Sequence, residues 1–429
     1  MSQAPPFRPR FPGAPAAASA ALRWAALGAV VTSAALTGCG TARLQAPPAP
    51  VAPAVTHYDM DPIVIEAKPG KTGIEIESFD AEELFEQGGA ALSQSRFDDA
   101  IPFYDKLLAK FPLSPYARPA LYNRGLAYRD KKEWPKAIDS FKELAEKYAD
   151  HPDSKDALFQ LGACYAEIEN WPTSGEIFVR LLDRKDLTAD DRIEAMARRG
   201  FAQFKLGDLD VSERTFRGVM FYRQQIESQE RLSTDFFLAF TQYNLAQITH
   251  ERFRRAPIRL PEAQMDRDLE EKAALLLKAQ RSYIDTIKYG NPRWASAAGF
   301  QVGSLYEELY DAFIAAPVPK SLKGEARDVY TEELHKKIRI LLEKSLRWHR
   351  ENLLMVERLG VDTDWAQKTK LSYNKLLHLL DPAAQDLKDP AGAKAPAAPA
   401  PAVPTAPDRP TPTPTKTPPP EPAAVRQIL

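Results

Sequence analysis

Few residues in this 429-residue chain combine a reactive type with a useful spacing. The six histidines (His57, His151, His250, His335, His349 and His378) are scattered, and none has another His or a Cys at metal-ligand spacing. They read as surface or capping residues. GKTG at Gly70 to Gly73 invites a phosphate loop, but that loop needs another Gly five residues before the one preceding the Lys, and Ile65 stands there. Adjacent carboxylates at Glu307 and Glu308 could in principle share acid–base work. Beside Tyr306 and Tyr310 in a helical pattern, they read instead as a solvated face. No Gly-x-Ser-x-Gly elbow, HExxH helix or GxGxxG turn is present. The expectation is a non-enzymatic chain with no metal, no cofactor and no small-molecule substrate.

The two cysteines divide between different tasks. Arg8, Arg10 and Arg23 precede an uncharged apolar run, Trp24 to Ala35, ending in Leu36-Thr37-Gly38-Cys39. That ending resembles the lipobox of bacterial lipoproteins, which implies a signal peptide over 1–38 and acylation of Cys39. Gly40 rather than Asp in the next position implies outer-membrane sorting by the same resemblance. About 14 apolar residues fall short of the roughly 20 that cross a bilayer. From residue 39 to 74 a Pro- and Ala-rich stretch reads as a tether holding a solenoid in the periplasm. Cys164, two residues after Gly162 in an apolar helical pattern, reads as a buried core thiol. The net charge of −1 offers no bulk attraction for nucleic acid.

The elements that must position everything else announce themselves by repetition. Gly88, Gly125 and Gly162 are evenly spaced (125 − 88 = 37; 162 − 125 = 37), as are Leu84, Leu121, Leu158; Ala100, Ala137, Ser174; and Tyr104, Phe141, Phe178. A fixed period with small and bulky residues in one order predicts stacked helix pairs. In LYNRGLAYRDKKEWPKAIDSFKELAEKYADHP the residues Leu121, Gly125, Tyr128, Ala137, Phe141 and Leu144 resemble the tetratricopeptide consensus. Ser174 and Ser212 depart from its usual Ala, and the period exceeds the family's ~34 residues by about three. The resemblance implies an all-α solenoid, with regular units over 75–231. Degenerate units and long capping helices over 232–380 include one helix from Glu325 to about Leu359. No strand is expected from 75 to 380. Residues 381–429, with runs such as PTPTPTKTPPPEP, read as an extended spacer.

In tetratricopeptide stacks the first helices line the concave face. By that resemblance Phe85, Tyr122, Leu126, Arg129, Phe159, Phe201, Phe204 and Lys205 would form a groove for a protein partner, because aromatics and Arg dominate binding hot spots. Broadly, the chain resembles tetratricopeptide lipoproteins of the bacterial envelope. Its C-terminal half is most similar to those of gliding and predatory δ-proteobacteria. The implied partners are other envelope proteins, with the membrane held through Cys39. Assembly of outer-membrane β-barrels or secretins stays open as an alternative, as does a peptidoglycan-associated enzyme or enzyme regulator.

Overall fold

A computed structural model describes residues 62–70, 73–319, 321–360 and 362–383. Thirteen helices among them form an all-α solenoid. Four regular pairs come first: α1 (Ala81–Ser93) with α2 (Phe97–Lys110), α3 (Ala117–Asp130) with α4 (Trp134–Lys147), α5 (Pro152–Glu167) with α6 (Trp171–Leu182), and α7 (Ala189–Lys205) with α8 (Leu209–Ile226). None of the described helices is long and apolar enough to cross a membrane.

The 37-residue echo is the signature of one packing event made four times. A Cβ placed on Gly88, Gly125, Gly162 or Gly200 would come within 2.8, 2.6, 2.7 or 3.0 Å of the rings of Tyr104, Phe141, Phe178 and Phe216. Only glycine lets the second helix's ring lie on the first helix's backbone. The departures from Ala also have a reason. Ser174 Oγ donates to the Gly162 carbonyl (2.9 Å) and Ser212 Oγ to that of Gly200 (2.8 Å), so each hydroxyl is buried without an unmet hydrogen bond. Every turn within a pair closes through one left-handed residue: Ser95, Lys132, Glu169 and Gly207, with φ of 57°, 61°, 57° and 84°. Glycine holds that conformation without strain only in the fourth.

Beyond Ile226 the helices lengthen: α9 (Phe236–Arg255), α10 (Glu262–Ile287), α11 (Pro292–Ile314), α12 (Glu325–Leu359) and α13 (Asp364–Leu380). The glycine device persists in altered form. On α11 a Cβ at Gly299 or Gly303 would strike Asn352 or His349 of α12, so polar side chains replace the rings. Asn352 Nδ2 donates to the Ser296 carbonyl (3.0 Å) and Thr369 Oγ1 (2.8 Å), tying α11, α12 and α13 together.

One element contradicts the sequence reading. The end of the expected tether and the start of the expected first repeat are an antiparallel hairpin, β1 (Val64–Gly70) and β2 (Gly73–Phe79), with Val64 opposite Phe79 and Ile65 opposite Ser78. GKTG is its turn. The strands pack on the first pair, where Phe79 meets Phe111 edge-on at 6.1 Å and Lys106 Nζ lies 3.4 Å from the Phe79 ring centroid. The alternation in IVIEAKPGKTGIEIESF carried the period of two, and its short length beside prolines masked it.

Candidate partner-binding surface

The expected groove divides into two sets. Phe85, Tyr122, Leu126 and Phe159 are buried, at 0, 8, 6 and 4% exposure, and are not groove residues. The Phe85, Tyr122 and Phe159 rings lie 6.1, 5.7 and 6.3 Å from those of Tyr104, Phe141 and Phe178, the rings that sit on the repeat glycines. They recur at one spacing because every pair must fill the same hole. Arg129 is half-buried and engaged: it donates to Gln160 Oε1 (3.0 Å) on α5 and to Asp130 Oδ1 (2.8 Å).

Phe201, Phe204 and Lys205 stay half-exposed at the end of α7, and the fold brings them together with Trp171 at the start of α6. Trp171 meets Phe201 edge-on at 5.6 Å, and Phe201 and Phe204 stack at 6.4 Å. Lys205 Nζ lies 5.4 and 5.7 Å from the Trp171 and Phe201 centroids, which suits the negative faces of the rings. Burial lowers the pKa of the Lys205 ammonium, against the pull of the Glu169 carboxylate. Trp171 had a legible signal, since Phe97, Trp134 and Trp171 repeat at the same period (134 − 97 = 37; 171 − 134 = 37). The equivalents of Phe201 and Phe204 one unit earlier are Ala163 and Ala166, so these two rings do not belong to the repeated core. Both rings also pack on the core beyond the fourth pair, Phe201 lying 5.4 Å from Phe240 of α9, and only part of each stays open.

A cleft of about 820 Å³ opens where regular stacking ends, between the start of α8, the end of α9 and α10. Arg214, Arg252 and Arg255 line it with Asp210, Glu271 and Leu275. Arg252 is committed to Asp210 and Glu213, both at 2.6 Å. None of the expected groove residues lines this cleft.

The expected placement of the histidines and of the acidic pair needs correction. His151 does cap α5, accepting from the Asp153 amide (3.1 Å). His250 and His349, however, are fully buried. Glu308 Oε2 lies 2.9 Å from His250 Nε2, and the same carboxylate receives both arms of Arg254 (2.8 and 2.7 Å). Glu307 Oε1 lies 2.9 Å from His349 Nε2 and accepts from Ser345 Oγ (3.1 Å). Neighbouring carboxylates of α11 therefore grip α9 on one side and α12 on the other. Burial raises the Glu308 pKa, but the hydrogen bonds from His250 and Arg254 outweigh it and bring the group down to about 2. Cys164 is buried, and desolvation pushes its thiol up to about 12, so it is no nucleophile in the folded chain. Cys39 lies outside the described residues.

The fold is an all-α solenoid of tetratricopeptide type. The tetratricopeptide repeat family model matches residues 85–152 and 122–187, which takes in the first regular pairs. Such repeats are protein-interaction modules, with a concave face built from successive first helices. No curated protein matches the chain. Among solved structures it is similar to a MamA protein (16% identity, TM-score 0.34, covering 49% of this chain and 94% of that one). It is also similar to YrrB, a tetratricopeptide protein with an unusual peptide-binding site (20%, 0.32, 49% and 90%). A third likeness is to the C-terminal part of a repeat protein from Cytophaga hutchinsonii (13%, 0.36, 70% and 96%).

Proposed function

We propose that this chain is a non-enzymatic scaffold, held at the outer membrane by acylated Cys39, whose solenoid captures a protein partner of the cell envelope. The observation that carries the capture is the Trp171, Phe201, Phe204 and Lys205 cluster. It is a partly exposed aromatic and cationic patch in which Phe201 and Phe204 have no aromatic counterparts in the preceding unit, while Trp171 recurs with Phe97 and Trp134. The lipobox-like LTGC supports the anchor, and the likeness of KYGNPRWASAAGFQVGSLYEELYDAF and the helix after it to envelope proteins of gliding bacteria supports a motility assembly.

A photoreactive residue at Phe204 tests the patch in living cells. Motility-complex subunits crosslinked there, and lost on Lys205→Glu, support the proposal, whereas the same probe at buried Tyr122 stays silent. Barrel-assembly or secretin components in place of motility subunits would redirect the pathway, and no capture by a folded protein would remove the patch. Release of Cys39→Ser from the membrane fraction checks the anchor separately.

A further inference from the structure

The hairpin wears its alternation inside out. An antiparallel sheet with one solvated face puts apolar residues inward and polar ones out. Here Val64, Glu66, Glu77 and Phe79 face the first helix pair: Phe79 is buried, Val64 packs with it, and Glu66 and Glu77 pair with Lys110 (2.5 Å) and Lys106 (3.4 Å). The residues between them turn to solvent, with Ile63 62% and Ile65 69% exposed and Ala67 and Ser78 exposed beside them. The register sets Ile65 opposite Ser78 and Ala67 opposite Ile76. Two outward isoleucines are costly in water, and a hairpin of two strands is only marginally stable without a covered face.

We infer that this face rests on the surface of the bilayer that anchors the chain. The inference relies on the acylation of Cys39 proposed above. Ile63 follows Cys39 by 24 residues (63 − 39), a length whose mean span as a coil is about 25–30 Å, and more with prolines. The hairpin is thus the first element among the described residues after Cys39 and the one held nearest the lipid along the chain. Among the described residues of the hairpin, Glu66 is largely covered and Glu77 half-exposed, and each has its charge offset by a lysine of α2. The exposed side chains of Ile63 and Ile65 are the chemistry that enters a headgroup boundary, and a covalent lipid supplies the second attachment that makes weak insertion persistent. The solenoid would then be fixed by its first repeat and would not swing on its tether.

The full chain with Ile65→Cys, labelled with an environment-sensitive fluorophore, tests this. Cys39 is acylated and Cys164 buried, so the label goes to one site. A second protein labelled at Val329→Cys, exposed on α12, serves as the distant control. Both are reconstituted in phosphatidylethanolamine–phosphatidylglycerol vesicles, and a parallel pair replaces Cys39 by Ser and holds the chain to nickel-chelating vesicles through a histidine tag at that position. The expected result, with either anchor, is loss of most of the Ile65 emission to lipids brominated in their chains, with the Val329 label unaffected. Equal exposure of both labels to aqueous iodide overturns the inference. So does shielding of the Ile65 label that needs no vesicles and grows with protein concentration, which would assign the face to a second copy of the chain. Failure of the Cys39 protein to stay with vesicles, while the tag-held protein is shielded, removes the acyl anchor and leaves the hairpin contact standing.

Discussion

Gly125→Ala sets two effects of known size against each other. Alanine is favoured over glycine inside a helix by about 1 kcal/mol. At this position its Cβ would lie 2.6, 2.7 and 2.9 Å from Cε1, Cζ and Cδ1 of Phe141, a ring with no exposed surface. Ordinary contact begins near 3.4 Å, so the ring or the helix must yield by about 0.8 Å (3.4 − 2.6). Phe141 is hemmed in by Tyr122, 5.7 Å away between centroids, and overpacking a filled core costs about 1–3 kcal/mol. An overlap this deep puts the cost in the upper part of that range, about 2–3 kcal/mol, so the strain wins and the substitution is expected to destabilise by about 1–2 kcal/mol. Gly175→Ala on α6 is the matched control. Its Cβ meets only the Ala202 methyl at 3.6 Å, so the helical preference acts alone and the protein gains about 0.5–1 kcal/mol. Urea unfolding followed by circular dichroism, with the slope checked for each variant, reads both. If Gly125→Ala stabilises as much as Gly175→Ala, the ring-on-backbone explanation of the 37-residue period is wrong. Phe141→Leu should relieve most of the Gly125→Ala penalty, since the two substitutions share one contact.

Three further outcomes follow from the same geometry. Lys132→Gly, at φ 61°, should stabilise by about 0.5–1 kcal/mol, the position Gly207 occupies in the fourth pair showing that glycine fits; equilibrium unfolding measures it, and a loss would mean that the Lys132 side chain matters more than its backbone. Glu308 has its pKa lowered from 4.5 to about 2, so its ion pairs stabilise the fold fully above the unfolded value and fade as pH falls towards the folded one; wild type should lose about 3 kcal/mol relative to Glu308→Gln between pH ~5 and ~2, and parallel curves would refute the clamp. Cys164, with its thiol raised to about 12, should resist alkylation at pH 8 and react in urea at a rate set by opening; rapid labelling of the folded protein would contradict its burial.

The amino-acid sequence by itself determined the helix pairs, their period and the glycine–aromatic partnership, because each repeat solves the same local packing problem and writes the same residues at the same spacing. It also marked α12 from Glu325 to Leu359, where a long amphipathic pattern ends at Gly360, whose φ of 61° terminates the helix. What it did not determine was which face of a first helix would meet solvent. Phe85, Tyr122 and Phe159 recur because they are core, whereas Phe201 and Phe204, which do not recur, keep exposed surface. Strict repetition in a solenoid reports stacking, and the exceptions mark where the packing changes. Only the tertiary structure paired Glu308 with His250 across 58 residues and Glu307 with His349 across 42, since carboxylates side by side on a helix look solvated until helices arrive from both sides. The hairpin was decided in the same way: its alternation is local, but which side faces α2 depends on Lys106 and Lys110 waiting there for Glu77 and Glu66.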